Sequence, residues 1–517
     1  MSVAVSPFNR TLLALAALGT ATPAAAGSIT SFTAGDLVIS TVTNSTDLSN
    51  TAALDTASPI TLQEFSLGSD GTSATSVGTL TLPQTNTGAN WAISGEYGSA
   101  SEGFLQLSGN GNLLTIMGYG VNASTFNSAP LTTYGTAALG QTTSLLSSQQ
   151  TGTIYTTVPR VVAAIGANGS VDTSTAITGF ANMNNPRSVY TVDGSSFYVS
   201  GQGASKTDPT QGVQLVQDGA STGTVIDNST DTRFVTINST LNNTNTPTLY
   251  VSRDYNPPGS GGQNFTNVSS LTGPSGGLPT SSTGLVTTHI VPPASPLSSG
   301  GNNGSINLTA ALGNTVNDGG VNSHGAASRV GSFVYLSPEQ FFFANSTTLY
   351  VADSGQPKNG NANKAALGEG GLQKWSLIGG VWTLEYDLVA NLPGLTNNSL
   401  ANSNTPTAPG VTGLFGLTGK VVGNQVELFA TTYGLNELSP SYLVEITDNL
   451  SDTSITQAGG EAFTTLFAAP ADVSIRGVSF APTPGPVPGQ GLVSLGGLIA
   501  AGARAFLARR RRPDGEA

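Results

Sequence analysis

Along most of this chain, apolar and polar residues alternate in short runs, and each run stops at a cluster of Gly, Asn, Asp or Ser. Alternation with a period of two places every second side chain on one face of an extended strand, so the pattern predicts β-structure. One unit recurs: a strand, a tight polar turn, then a second strand ending in aromatic or aliphatic residues. It stands at 103–120 (GFLQLSGNGNLLTIMGYG), 187–203 (RSVYTVDGSSFYVSGQG), 233–256, 341–356 and 413–434. The turns GNGN, DGSS and VGNQ mark each as a hairpin. Further strand pairs follow several of them, as in 212–227 and in 371–388, where Trp375 and Trp382 flank a Gly379-Gly380 turn.

Hairpin upon hairpin makes a four-stranded meander, and repeated meanders are the blades of a β-propeller. The expected fold is therefore all-β, a propeller of six or seven four-stranded blades. The last strand, SIRGVSFAP (474–482), has no hairpin partner after it. The first segments (35–41, 60–67 and 77–83) have no inner strand before them. Pairing the two ends would close the ring and leave no free edge. A stacked β-helix has a similar composition but repeats at shorter, steadier intervals. Residues 256–331, rich in Gly, Ser and Pro, break the rhythm and read as a poorly formed blade with long loops.

Composition narrows the function. Charged residues are 9% of the chain and the formal charge is −12. Six of the 17 basic residues lie at the two ends, leaving a body with 11 basic and 27 acidic residues. A body this acidic repels nucleic acid, and that class of partner is set aside. The chain has no cysteine and only two histidines, His289 and His324, both in Gly/Ser/Pro-rich surroundings. Thiolate metal sites and multi-histidine centres are excluded, and no cofactor is expected. A Ser-His-Asp triad does not fit either.

Residues 1–26 have the three parts of a secretory signal: Arg10, the apolar Leu12–Leu18, and a small-residue stretch ending at Ala26, the expected cleavage position. At the other end, 483–517, Pro-rich PTPGPVPG precedes an apolar run from Gly491 to Ala508 and then Arg509, Arg510, Arg511 and Arg512. About 20 apolar residues cross a bilayer, so the run is a marginal span whose Arg504 would snorkel. The arginines would stay cytoplasmic, leaving the body (27–482) outside the inner membrane. This order of parts resembles the PEP-CTERM sorting signal of Gram-negative bacteria. Pro484, Pro486, Pro488 and Gly489 stand at its Pro-rich motif, with Pro484-Gly485-Pro486 where the family has Pro-Glu-Pro. The resemblance implies processing by an exosortase-type peptidase, transient anchoring in the inner membrane, and delivery to the cell surface or extracellular matrix. An ordinary C-terminal membrane anchor is the plainer reading of the same run.

Three of the proposed inner strands begin with arginine: Arg187, Arg233 and Arg476. Their shared phase would set them near one mouth of a propeller channel, where converging guanidiniums suit an anionic ligand such as a uronate or phosphate. Equally, each could pair with a carboxylate of the next blade. Second strands exit through Asp254 and Tyr255, and through Asp353 with Lys358 and Asn359 beyond it. Tyr119 and Tyr433 hold the corresponding places elsewhere. These groups fit turn formation or a Ca²⁺ or sugar site. Glu96 and Glu102 could form an acid–base pair. The expectation is a non-enzymatic binding or structural module of the bacterial surface, in contact with extracellular polysaccharide. The alternative is a propeller hydrolase or lyase acting on an anionic saccharide.

Overall fold

The computed structural model describes residues 27–485, apart from 44–55, 100, 136–137, 143–154, 206, 239–245, 254–266, 292–304, 308–332, 336, 356–369, 396–409 and 435–438. The protein is all-β in a propeller-like arrangement, with two short helices, Ala123–Ser128 and Leu131–Tyr134. Burial alternates in some strands, as in Thr61–Leu67, where Leu62 and Glu64 are buried while Thr61 and Gln63 are half-buried, whereas others, such as Pro186–Tyr190 and Thr348–Asp353, are buried throughout.

We number the larger sheets in chain order. The third to sixth are antiparallel four-stranded meanders. They run from Pro186–Tyr190 to Thr224–Asp227, Thr232–Asn238 to Val286–Val291, Pro338–Phe343 to Val381–Leu388, and Val411–Val422 to Thr464–Ala468. The first two sheets depart from the expected four strands. In the first, Gly27–Ser28 adds a parallel strand to Ala74–Thr81. The second has seven strands: Ala57–Pro59 pairs with Ser94–Glu96, and the short Val171–Asp172 and Ala176–Ile177 both pair with Arg160–Gly166. Within 256–331, the described strands do not form a blade of their own. Asn267–Thr272 and Val286–Val291 are the two outer strands of the fourth sheet, and Ser305–Asn307 pairs only with Phe333–Tyr335. Polar positions such as Ser269, Ser270, Thr287 and Thr288 hide that hairpin in a weakly hydrophobic stretch.

The ends of the body meet as expected. Val473–Phe480 lies antiparallel to Leu37–Thr43, with Leu37 opposite Phe480 and Thr43 opposite Val473. Each inner strand then leans on the next sheet through a repeated device. The inner strands of the first, third, fourth and sixth sheets slip register by a bulge, and the second strand sets a hydroxyl opposite it: Ser40, Ser200, Ser252 and Thr431. A bulge frees a backbone N–H from the ladder. Ser40, Ser252 and Thr431 accept the N–H of Gly477, Phe234 and Gly416 at 2.9, 3.1 and 2.8 Å. All four hydroxyls also donate to the inner edge of the next sheet, at the carbonyls of Gly103, just ahead of Gln106–Leu107, and of Arg233, Glu339 and Arg476. Thr115 of the second sheet reaches Val189 O in the same way, at 2.9 Å. In the fifth sheet Ala352 takes the hydroxyl's place, and Gln340 accepts from Leu417 N instead, at 3.0 Å.

The centre is apolar. The residue at the bulge is Phe234, Phe341 or Phe415 in three sheets, and Phe104 enters from the second. Phe104 stacks on Phe415 at 4.1 Å and meets Phe234 at 5.5 Å, and Phe234 meets Phe341 at 5.2 Å. Gly477 stands in this place on the closing strand, where a Cβ would come within 2.2 Å of Leu105 N.

The two ends of the sheets differ. One carries tight turns: 109–112, 193–195, 344–347, 423–424, and Gly379-Gly380, whose two positive φ angles (58° and 84°) suit a two-residue hairpin turn. The strands that flank the longer connections, 120–159, 292–337 and 389–410 among them, finish and begin at the opposite end. The chain leaves the closing strand at the tight-turn end, where Thr483 N donates to Gly111 O at 2.9 Å.

Candidate functional site

Charge collects inside the long-connection end, where inner and third strands begin and second and fourth strands finish. Arg187, Arg233 and Arg476 occupy one phase of their strands there, and each turns into the neighbouring sheet. Arg187 Nη1 lies 2.9 Å from Asp231 Oδ1, just ahead of the fourth sheet's inner strand. Arg233 Nη1 lies 2.6 Å from Glu339 Oε1 of the fifth sheet and also donates to Ser337 Oγ and Pro338 O. Arg476 Nη2 donates to Tyr97 O at the second sheet. All three are buried. A fourth arginine follows the rule: Arg253 bonds Asp227 of the third sheet at 2.5 Å. These contacts tie sheet to sheet.

Asp353 ends the second strand of the fifth sheet and is fully buried. Its Oδ2 accepts from Ser337 N and Gln373 Nε2, and its Oδ1 from Gly355 N, at 2.7–3.0 Å. Burial pushes its pKa up to about 6, against the pull of those N–H groups and of Arg233. Two strands away, Asp387 stands opposite Gln373 with neither carboxyl oxygen hydrogen-bonded. Burial, with Asp353 adding to it, raises its pKa well above the usual carboxylate range. Asp254, Tyr255, Lys358 and Asn359 lie outside the described residues, as do Ala26, Pro486, Pro488, Gly489 and Arg509–Arg512. Pro484 is described and follows the anchored Thr483. Tyr433 packs against Phe415 in the central core.

Glu96 and Glu102 do come together. Glu102 accepts from Glu96 N with one oxygen and from Tyr119 OH, at 2.8 Å, with the other. Glu96 accepts from Gly140 N at 2.7 Å. Arg160 lies 4.7 Å over the Tyr119 ring, and its guanidinium donates to the carbonyls of Thr142, Val158, Ala181 and Asn184. Burial raises Glu102 to about 7, opposed by the Glu96 amide and by Arg476. The cavity beside Glu102, Arg476 and Met117 is about 10 Å³, room for about one water molecule and far too small for a sugar ring.

Sequence reasoning passed over Arg160, Asp387 and Lys374. Lys374 Nζ is buried against Tyr386 OH and Asp448 Oδ2, each at 2.8 Å, and the carbonyls of Asn449 and Asp452. Both Tyr350 OH and Tyr386 OH donate to Asp448 as well. A lysine inside the apolar run LQKWSLI was the available signal. His289 Nδ1 lies 3.1 Å from Ser269 Oγ on the adjacent strand, and burial lowers its pKa; His324 lies outside the described residues. Among the described residues no three His, Cys, Asp or Glu side chains gather as metal ligands.

The raised carboxyls set a pH dependence. Asp353 (about 6), Glu102 (about 7), Glu461 (about 8) and Asp387 hold protons in the folded ring that they release in the unfolded chain above about pH 4–4.5. Their contribution is complete below that point and is lost as pH rises through the folded values. The melting temperature is therefore expected to fall from pH 5 to pH 8, and Asp387→Asn to flatten that fall. Thermal melts of both proteins across this range check it; a midpoint rising with pH would contradict it.

A search of protein-family models finds no match to the chain, and a search of curated proteins finds none either.

Proposed function

We propose that this chain is an exported, non-enzymatic binding or structural module of a bacterial cell surface or its polysaccharide matrix. Its six larger sheets would be the blades of one ring, and its C-terminal segment a sorting signal read by an exosortase-type peptidase. The observation that carries the reading is the inward turn of its chemistry. Arg187 and Arg233 pair between sheets, the centre is filled with phenylalanine, and Asp353, Asp387 and Glu102, whose pKa values are raised, are buried. Such a ring is a rigid support, and a chain with only 9% charged residues and abundant Ser, Thr, Asn and Gly suits contact with hydrated glycans. The rival hydrolase or lyase would use Glu102, whose raised pKa fits a general acid. Glu102 is only 3% exposed, and its two oxygens are engaged by Glu96 N and Tyr119 OH.

The chain's own ends supply the test. Intact mass is measured on protein recovered from the native host, fraction by fraction. A species beginning at Gly27 and ending between Pro484 and Gly489, outside the inner membrane, is the expected result. A species that retains Arg509–Arg512 and stays in the inner membrane would overturn sorting and leave an anchored periplasmic module.

A further inference from the structure

We propose that the tight-turn end of the ring is the face turned toward the lipid bilayer while the C-terminal segment is inserted. The inference rests on the reading of 491–508 as a membrane-inserted run, and adds to it which side of the body meets the lipid.

The exit point is the first ground. The closing strand finishes at Phe480, and the chain is then fastened to the innermost hairpin of the second sheet. Thr483 donates to Gly111 O through both its backbone N–H and its hydroxyl, at 2.9 and 3.3 Å, and Gly485 lies against Asn112. Only residues 486–490 separate this anchorage from the apolar run at Gly491. Six Cα–Cα steps reach roughly 20 Å at full extension. A body tethered this closely at one end turns that end toward the bilayer.

The second ground is what that end exposes. Val192, Val286, Ile378, Val381, Val421 and Val422 are each 43–55% exposed, and all six stand where strands enter or leave turns at this end. Two other large apolar side chains are comparably exposed among the described residues. Val77 lies within an outer strand and Leu131 on a helix at the opposite end. Valine and isoleucine at hairpin tips lose water when they meet the headgroup–acyl boundary, which is the favourable direction. The turns also carry exposed Asp70, Asp193 and Asp218, so the face suits zwitterionic headgroups better than a strongly anionic surface.

The absence of cysteine makes the test direct. Single cysteines replace Val192, Val422 or Leu131 in the full chain, all exposed positions, and each carries an environment-sensitive fluorophore. The proteins are added to phosphatidylcholine–phosphatidylethanolamine vesicles containing a lipid-borne quencher, and bound material is recovered by flotation. In floated protein the probes at 192 and 422 are expected to be quenched several-fold more than the probe at 131. Protein that floats with the probe at 131 quenched as strongly overturns the orientation alone. Protein that does not float overturns the insertion reading, and the orientation with it.

Discussion

Phe104→Ala is expected to destabilise the ring by about 3–5 kcal/mol, the usual cost of emptying an aromatic core position. Phe104 is fully buried, stacked on Phe415 and edge-on to Phe234, and through Phe234 it is linked to Phe341. These rings come from four different sheets, so the cavity opens where sheets meet and no single meander can close over it. Phe104→Leu keeps part of the volume and is expected to lose less. Equilibrium urea denaturation of the two variants decides the matter. A loss below about 1 kcal/mol for Phe104→Ala would mean that the centre relaxes around the cavity.

The second large effect belongs to Arg233. Replacing it with Met leaves Glu339 buried, with a side chain 0% exposed, and removes its charged partner. Breaking a buried pair from one side costs about 3–5 kcal/mol, whereas replacing both members with apolar residues is often neutral or stabilising. Arg233→Met alone is therefore expected to destabilise strongly, and Arg233→Met with Glu339→Leu to recover most of the loss. The double-mutant cycle also discriminates between roles. An arginine kept for an anionic ligand would lose binding on substitution with little change in stability, and Glu339→Leu would rescue nothing.

Much of the architecture was legible because its signals are local. Gly379-Gly380 and GNGN announce hairpins from a few residues, and alternation assigns the faces of the strands they join. Closure was legible for a different reason: 474–482 lacked a partner and so did 35–41. The rest depends on neighbours remote in sequence. Arg187, Arg233 and Arg476 showed their common phase, but Asp231 and Glu339 become their partners only once the sheets are set side by side. Phe104 and Phe415 look like any inward-facing phenylalanines until the ring brings them into stacking contact. Asn267–Thr272 was lost among Ser and Thr, and Val286–Val291 stood out only as a short run between loops, because half-polar strands resemble loop. The Glu96–Glu102 pair was visible six residues apart, yet Arg160 gave no sign that it would lie over Tyr119 beside them.

Closure by both ends of the body also sets a clock. Ser40 accepts the N–H of Gly477, 437 positions later in the chain. At about 5–20 residues per second, ribosomal synthesis leaves Leu37–Thr43 waiting on the order of 20–90 s for Val473–Phe480. Through that interval the first sheet has a bare inner edge and the inner strands have no closed circle to lean on. The intermediate meanders can form as they emerge, but the final lock comes from the last stretch made before the tail. The nascent body is therefore pliable for nearly the whole of its synthesis, and becomes a rigid object only once Val473–Phe480 has been made.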